Sequence, residues 1–227
     1  TGSDLEESIS AYQLAFSLSD ILISTAGIHP HQAKEFSQNY FSEIKDLLKK
    51  DNVKAIGETG LDFYRNFSTE DQQKKSFEMH IETSIELQKP LFLHVRNAHS
   101  TFMEMLKPFK EKLPKTVVHC FTGTEEELMD YIEMDFFIGI TGWICDERRG
   151  THLKDLINLI PMDKIMIETD APYLIPRVSQ LKNSQRNEPK FLPHVAKEVM
   201  QNSKETKESL ISSIYMNSLR FFDLDRD

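Results

Sequence analysis

Alternating strand and helix signals predict an α/β fold on a parallel sheet, a (β/α)8 barrel of the TIM type with six of its strands visible. Three observations predict it. Six short, β-rich apolar runs recur along the 227 residues, and stretches of helical period separate them. The runs are near-continuously apolar, as strands covered on both faces are. Each also exits into a polar residue of chemical interest: His29, Glu58, His94, His119, Thr141 and Asp170. An open doubly wound sheet would gather such residues at one switch point. A ring of them fits the C-terminal mouth of a barrel.

The elements follow in order. The first helical stretch would be capped by Ser3 or Asp4, and the second by Ser37. Thr69 with Gln72 reads as a capping box opening a long helix to Gln88. The strand runs are Ile21–Pro30, Val53–Asp62, Pro90–Ala98, Thr116–Thr124, Phe136–Ile144 and Lys164–Pro172. Two helical stretches follow Pro189, over about residues 191–201 and 205–222. Ser179–Pro189 reads as a loop, and no linker splits the chain. Residues 1–227 are therefore expected to form one barrel domain. Since a barrel needs eight strands and Thr1-Gly2 reads as the tail of another, the expected domain is N-terminally incomplete, lacking the first two strands.

Bulk properties narrow the function classes. A net charge of −9 argues against a DNA-coating or membrane-surface protein, because phosphate backbones attract a basic face. It leaves room for an enzyme that meets phosphate through metal ions and a few arginines. Cys120 and Cys145 form no CxxC pair, which disfavours a thiolate zinc site or a disulfide scaffold and predicts a reducing, intracellular setting, the cytoplasm or, in a eukaryote, the nucleus. No apolar run approaches the ~18 residues of a membrane span. The N-terminus has neither a basic nor an apolar signal-peptide region. No obligate protein partner is evident.

Glu58, His94, His119 and Asp170 share one end of their strand–helix units. Imidazole nitrogen with carboxylate oxygen suits Zn, Mn or Fe and tolerates Mg at the carboxylates. A cation there explains why the buried run KIMIETDAP finishes on acids, since unpaired carboxylates cost several kcal/mol to bury. One histidine at a strand end is commonly a packed residue; four such groups at the same end are hard to ascribe to packing. Glu168 stands two residues before Asp170, and a shared strand face would let it orient a ligand histidine. Arg96, two after His94, would hold a phosphate bidentately or pair with Glu168 or Asp62. Cys120 is expected to face away from His119. His80, His99, His152 and His194 read as helix-face or loop residues. No nucleophile elbow or other serine or cysteine hydrolase pattern is present.

The stretches AGIHPH, AIGETGLDF, RNFSTEDQ, LHVRNAH, VVHCFTGT, GITGWICDERRG, IETDAPYLIPR and QRNEP, spanning about Thr25 to His194, resemble the TatD family of metal-dependent deoxyribonucleases. The resemblance implies a (β/α)8 barrel holding one or two divalent ions, Mg, Mn or Zn. It implies hydrolysis of DNA phosphodiester bonds, of the 3′→5′ exonuclease or DNase type, by a metal-activated water. DNA, single-stranded or with free 3′ ends, is the implied partner. Glu58, His94, His119 and Asp170 match family metal ligands. Asp170 also matches a general base, and Glu58 a shared, catalytic ligand. The family's first strand usually presents a His-x-His pair, which this sequence lacks, so the second ion is in question.

The same resemblance favours His29 as a phosphate contact over a loop cap, and leaves His31 between the two. Arg148 and Arg149 lie in a charge run that would be a solvated turn or would steer DNA. Trp143 would pack over the rim or stack on a base. Arg186, with Asn187 and Glu188, would contact substrate or hold its loop shut. Asp62 is assigned a supporting place behind the ligands. Two other readings remain: a metallohydrolase acting on another ester or amide, such as an aminoacyl-tRNA, and an inactive truncated barrel that only binds.

Overall fold

A computed structural model describes residues 1–224. The fold is α/β. Its six strands are β1 (Ser24–Ala26), β2 (Val53–Asp62), β3 (Leu91–Arg96), β4 (Thr116–Val118), β5 (Phe137–Ile140) and β6 (Ile165–Ile167), in chain order through one sheet. The helices are α1 (Leu5–Ser17), α2 (Gln38–Leu48), α3 (Glu70–Leu87), α4 (His99–Leu106), α5 (Glu125–Glu133), α6 (Thr151–Leu156), α7 (Leu192–Asn202) and α8 (Lys207–Phe221). This is the strand–helix alternation of a TIM-like barrel. The described residues gather into two compact units, Thr1–Val117 and the chain from Val118 onward.

In the first unit, Asp4 caps α1 by accepting from the Glu7 N–H, while the Ser3 hydroxyl donates to the Glu7 carboxylate. β1 is shorter than its apolar run. Ile21 is 80% exposed, and the N–H groups of Ile21 and Leu22 donate back to Leu18, so Ile21 and Leu22 belong to the exit turn of α1. Ser37 caps α2, and the Thr69–Gln72 capping box opens α3. β2 and β3 pair in parallel with a register shift between Ile56 and Thr59, the irregularity that carries Glu58. Such an irregularity re-aims a side chain out of strict alternation. Gly60 pairs with His94 at φ 139°, and a Cβ there would strike the His94 carbonyl. Ile56, Leu61, Leu91 and Leu93 are fully buried with Phe77 and Phe102, whose rings stack at 5.3 Å.

In the second unit β5 pairs with β6 in parallel, Ile138 opposite Ile165 and Ile140 opposite Ile167. α8 is fastened to this pair. The Asn217 side-chain amide donates to the carbonyls of Ile165 (2.7 Å) and Met162 (2.9 Å), and Phe221 meets Phe137 at 5.5 Å. A Thr124–Glu127 capping box opens α5. The strands here stop short of the sequence-based bounds. β4 ends at Val118 and β6 at Ile167, and Cys120 and Asp170 take φ of 50° and 55°. Left-handed backbone abolishes extended alternation. The expectation that Glu168 and Asp170 share a strand face is thereby corrected: both lie in the loop after β6.

Candidate metal centre

The first unit brings His29, Glu58 and His94 together, with one potential ligand atom from each lying within 4.8 Å of the others. His94 is held at both ring nitrogens, Nδ1 at 2.9 Å from Glu58 Oε1 and Nε2 at 3.3 Å from Asp62 Oδ2. His29 Nε2 lies 3.3 Å from the same Glu58 oxygen. His29 Nδ1 accepts the His31 N–H at 3.1 Å, capping the short helical turn Pro30–Glu35. An imidazole that accepts at Nδ1 carries its proton at Nε2. Burial lowers the His29 pKa despite the opposing hydrogen bond and charge of Glu58, which favours this neutral form. His29 thus presents a donor at Nε2, toward Glu58, while the loop cap uses the other ring nitrogen.

Asp62 stands behind this group. Fully buried, it accepts from His31 Nε2 (2.9 Å) and from the backbone N–H groups of Tyr64 (3.0 Å) and Arg65 (2.8 Å). Burial pushes its pKa up. Hydrogen bonds from His94, the Arg65 N–H and His31 outweigh that and hold it well below the usual carboxylate range. Arg96 is exposed and lies over the Tyr64 ring, 4.0 Å from its centroid. Of the two alternatives for Arg96, the ion pair with Asp62 or Glu168 is not formed: an aromatic face, not a carboxylate, holds the guanidinium.

The second unit brings His119, Cys120 and Asp170 together, again with one potential ligand atom from each lying within 4.8 Å of the others. Glu168 positions this group, accepting from His119 Nδ1 at 2.9 Å and the Cys120 N–H at 2.6 Å. Gly139 makes the room, since a Cβ there would meet the Glu168 carboxylate. Cys120 does not face away from His119. Its positive φ turns Sγ toward the group, 3.5 Å from Thr141 Oγ1, and burial pushes the thiol up to about 12. Asn187 is buried and ties down the loop bearing Asp170, donating to Thr169 O (2.7 Å), Tyr173 O (2.6 Å) and Leu174 O (3.2 Å). Arg186 beside it is exposed.

Both groups suit a divalent cation by donor chemistry, pairing imidazole nitrogen with carboxylate oxygen and a supporting carboxylate behind the histidine. Sequence reading missed a third feature, a carboxylate clamp. Buried Asp146 accepts from Arg148 Nε (3.2 Å) and one Arg148 terminal nitrogen (3.1 Å), and it forms an ion pair with Arg177, whose Nε lies 2.8 Å away. The Arg148 hydrogen bonds hold Asp146 down to about 2. Asp146 looked like one charge in a surface run, and no local spacing links it to Arg177.

Three comparisons bear on these features. The family model described as TatD related DNase matches residues 1–223. A protein of a Rahnella species named 3′-5′ ssDNA/RNA exonuclease TatD is 50% identical over 200 residues, covering 88% of this chain and 76% of its own. One of the same name from Pantoea ananatis is 45% identical over 225 residues, covering 99% and 86%. Among solved structures, a TatD family hydrolase from Entamoeba histolytica superposes with a TM-score of 0.85 at 26% identity, over 97% of this chain and 82% of its own. A TatD homologue from Escherichia coli shares the fold with a TM-score of 0.84 at 23% identity, over 95% and 83%.

Proposed function

We propose, from the premise that this chain belongs to the TatD-related DNase family, that it is a metal-dependent hydrolase of DNA phosphodiester bonds, releasing nucleotides from the 3′ ends of single strands. The observation that carries the reading is that a family match over residues 1–223 falls on a chain with two groups of metal-competent side chains. RNA is a second substrate, since the relatives' name covers both nucleic acids.

The residues that would hold the ions are Glu58 and His94 in the first unit and His119 and Asp170 in the second. Mg, Mn or Zn, one or two per chain, suit this donor set. When bound, such an ion acidifies water and offsets phosphoryl charge. The remaining roles belong to the side chains. Asp170 takes the proton of the attacking water at its carboxylate, and Glu58 is the catalytic carboxylate of the first unit's group. Neutral His29 donates from Nε2 to a phosphate oxygen. Asp62 and Glu168 fix the rings of His94 and His119. Arg96, Arg148 and Arg186, all exposed, supply charge to the strand's phosphates.

Among the described residues no helix is long and apolar enough to cross a membrane. Cys120 and Cys145 are unpaired, which suits action in the reducing cytoplasm. The test uses 3′- and 5′-end-labelled single-stranded DNA with Mg or Mn. Stepwise nucleotide release from the 3′ end, abolished by EDTA, is expected. Full activity in EDTA overturns the metal requirement, and cleavage confined to internal sites overturns the exonuclease direction.

A further inference from the structure

The second unit contains a cavity of about 540 Å³ of which the chemistry above uses only Arg148. Its walls include Trp143, Asp146, Arg148, Arg149, Leu174 and Arg177. Pro172 also lines it, two residues after Asp170. The Asn187-stapled loop therefore bears Asp170 and forms a wall of the cavity.

The lining is divided by chemistry. Trp143 is half-buried, and Leu174, Ile175 and Pro172 add apolar surface. The polar part carries three guanidinium groups, and Asp146 is the one carboxylate among the lining residues. Such local positive charge is unusual in a chain of net charge −9. It is also fixed charge. Asp146 is buried and anchors its own loop, its backbone carbonyl accepting the N–H groups of Arg149 (3.0 Å) and Gly150 (2.6 Å). Its carboxylate takes two donors from Arg148 and pairs by charge with Arg177 on the Nε side alone. Both terminal NH2 groups of Arg177 stay available for an anion. The Arg149 guanidinium lies over the Trp143 ring, 5.5 Å from its centroid, which leaves the opposite indole face for a base.

We propose that this cavity is a nucleotide subsite for single-stranded nucleic acid: Trp143 stacks on a base, and Arg177 and Arg149 take the adjoining phosphate. The choice of ligand class rests on the nuclease reading above. The division itself points the same way, because an aromatic face beside fixed guanidinium groups matches a base and its phosphate, and an unpaired base can leave its neighbours to stack there. A duplex keeps its bases stacked inside and offers none to the indole, so the subsite favours single strands and is tolerant of sequence.

Trp143 is the sole tryptophan of the chain, so its fluorescence reports on this cavity alone. The experiment titrates the full chain with oligothymidylate in EDTA, where hydrolysis is stopped. Saturable quenching is expected, with about tenfold weaker binding for an abasic strand of the same length. Arg177→Met and Arg149→Met are each expected to reduce the slope of log affinity against log salt by about 0.7, the signature of one lost phosphate contact on a single strand. Circular dichroism confirms that each variant is folded. Absence of quenching at any strand concentration overturns the proposal. So does equal quenching by the abasic strand, or an unchanged salt slope in both folded variants. If quenching, base dependence and salt slopes hold while no metal yields cleavage, the subsite stands and the nuclease reading falls. If cleavage occurs without quenching, the nuclease reading stands and the subsite falls.

Discussion

His80 couples its ionisation to folding. It is fully buried in α3, with Nε2 accepting the Ile28 N–H at 3.0 Å and Nδ1 donating to Ser76 O at 2.7 Å. Burial lowers its pKa from 6.5 to about 4, against the opposing pull of the Ser76 carbonyl. A histidine that folds neutral binds fewer protons than it does in the unfolded chain. Its stabilisation is therefore complete above the unfolded value and is lost as pH falls through about 4. The gap corresponds to about 3 kcal/mol. Urea unfolding at a series of pH values is expected to show stability falling over that window, and His80→Gln, which keeps an acceptor and a donor, is expected to flatten the fall. An unchanged slope in the variant would assign the loss to other groups. Asn187 acts at the same scale on the site. Asn187→Ala strands three carbonyl partners and is expected to cost about 1–3 kcal/mol. Because Asp170 rides on that loop, turnover should fall further than stability alone explains, measured as kcat at a temperature where the variant stays folded.

The junction of β2 and β3 is where an element depends on one backbone conformation. At φ 139°, Gly60 occupies a region that side chains rarely enter, and the His94 carbonyl fills the space a Cβ would need. Gly60→Ala is expected to cost at least about 1–3 kcal/mol from the dihedral alone. Strand separation at His94 adds to this, so both the melting midpoint and His94-dependent turnover should drop; an unaltered midpoint would mean the strands part freely there. The same junction shows what sequence could reveal. Val53–Asp62 was legible to its end residues because an apolar run and a turn bound it, and the Thr69 box because capping is a local code. β6 was overextended because Ile165–Ile167 runs on into Glu168, Thr169 and Asp170 with no glycine to mark the left-handed turn at Asp170. Glu58, His94, His119 and Asp170 could be listed from their strand ends. How they group, that Cys120 joins His119, and that Arg96 lies over Tyr64 depend on dihedrals and rings remote from any motif. The Asp146–Arg177 clamp left no trace, since ion pairs over such separations follow no spacing rule.

For the molecule as a whole, ion binding is a statement about stability before it is one about catalysis. Anything bound by the folded chain and not by the unfolded chain stabilises it, by about 2.7 kcal/mol at a hundredfold excess over its dissociation constant. For a chain of this size that amounts to a melting shift of about 5–11 °C. Thermal unfolding in EDTA and with Mn or Zn is expected to differ by that order. His94→Ala in the first unit and Asp170→Asn in the second should each diminish the shift, because each removes a proposed ligand. A competing cause exists in the net charge of −9, whose self-repulsion any added salt relieves. Screening depends on ionic strength and ignores ion identity, whereas a donor set of imidazole and carboxylate favours Zn and Mn over Ca. Sodium chloride at matched ionic strength therefore decides between them. A shift it reproduces, or one that survives in both variants, would reassign the stabilisation to screening and leave the two side-chain groups without an ion to hold.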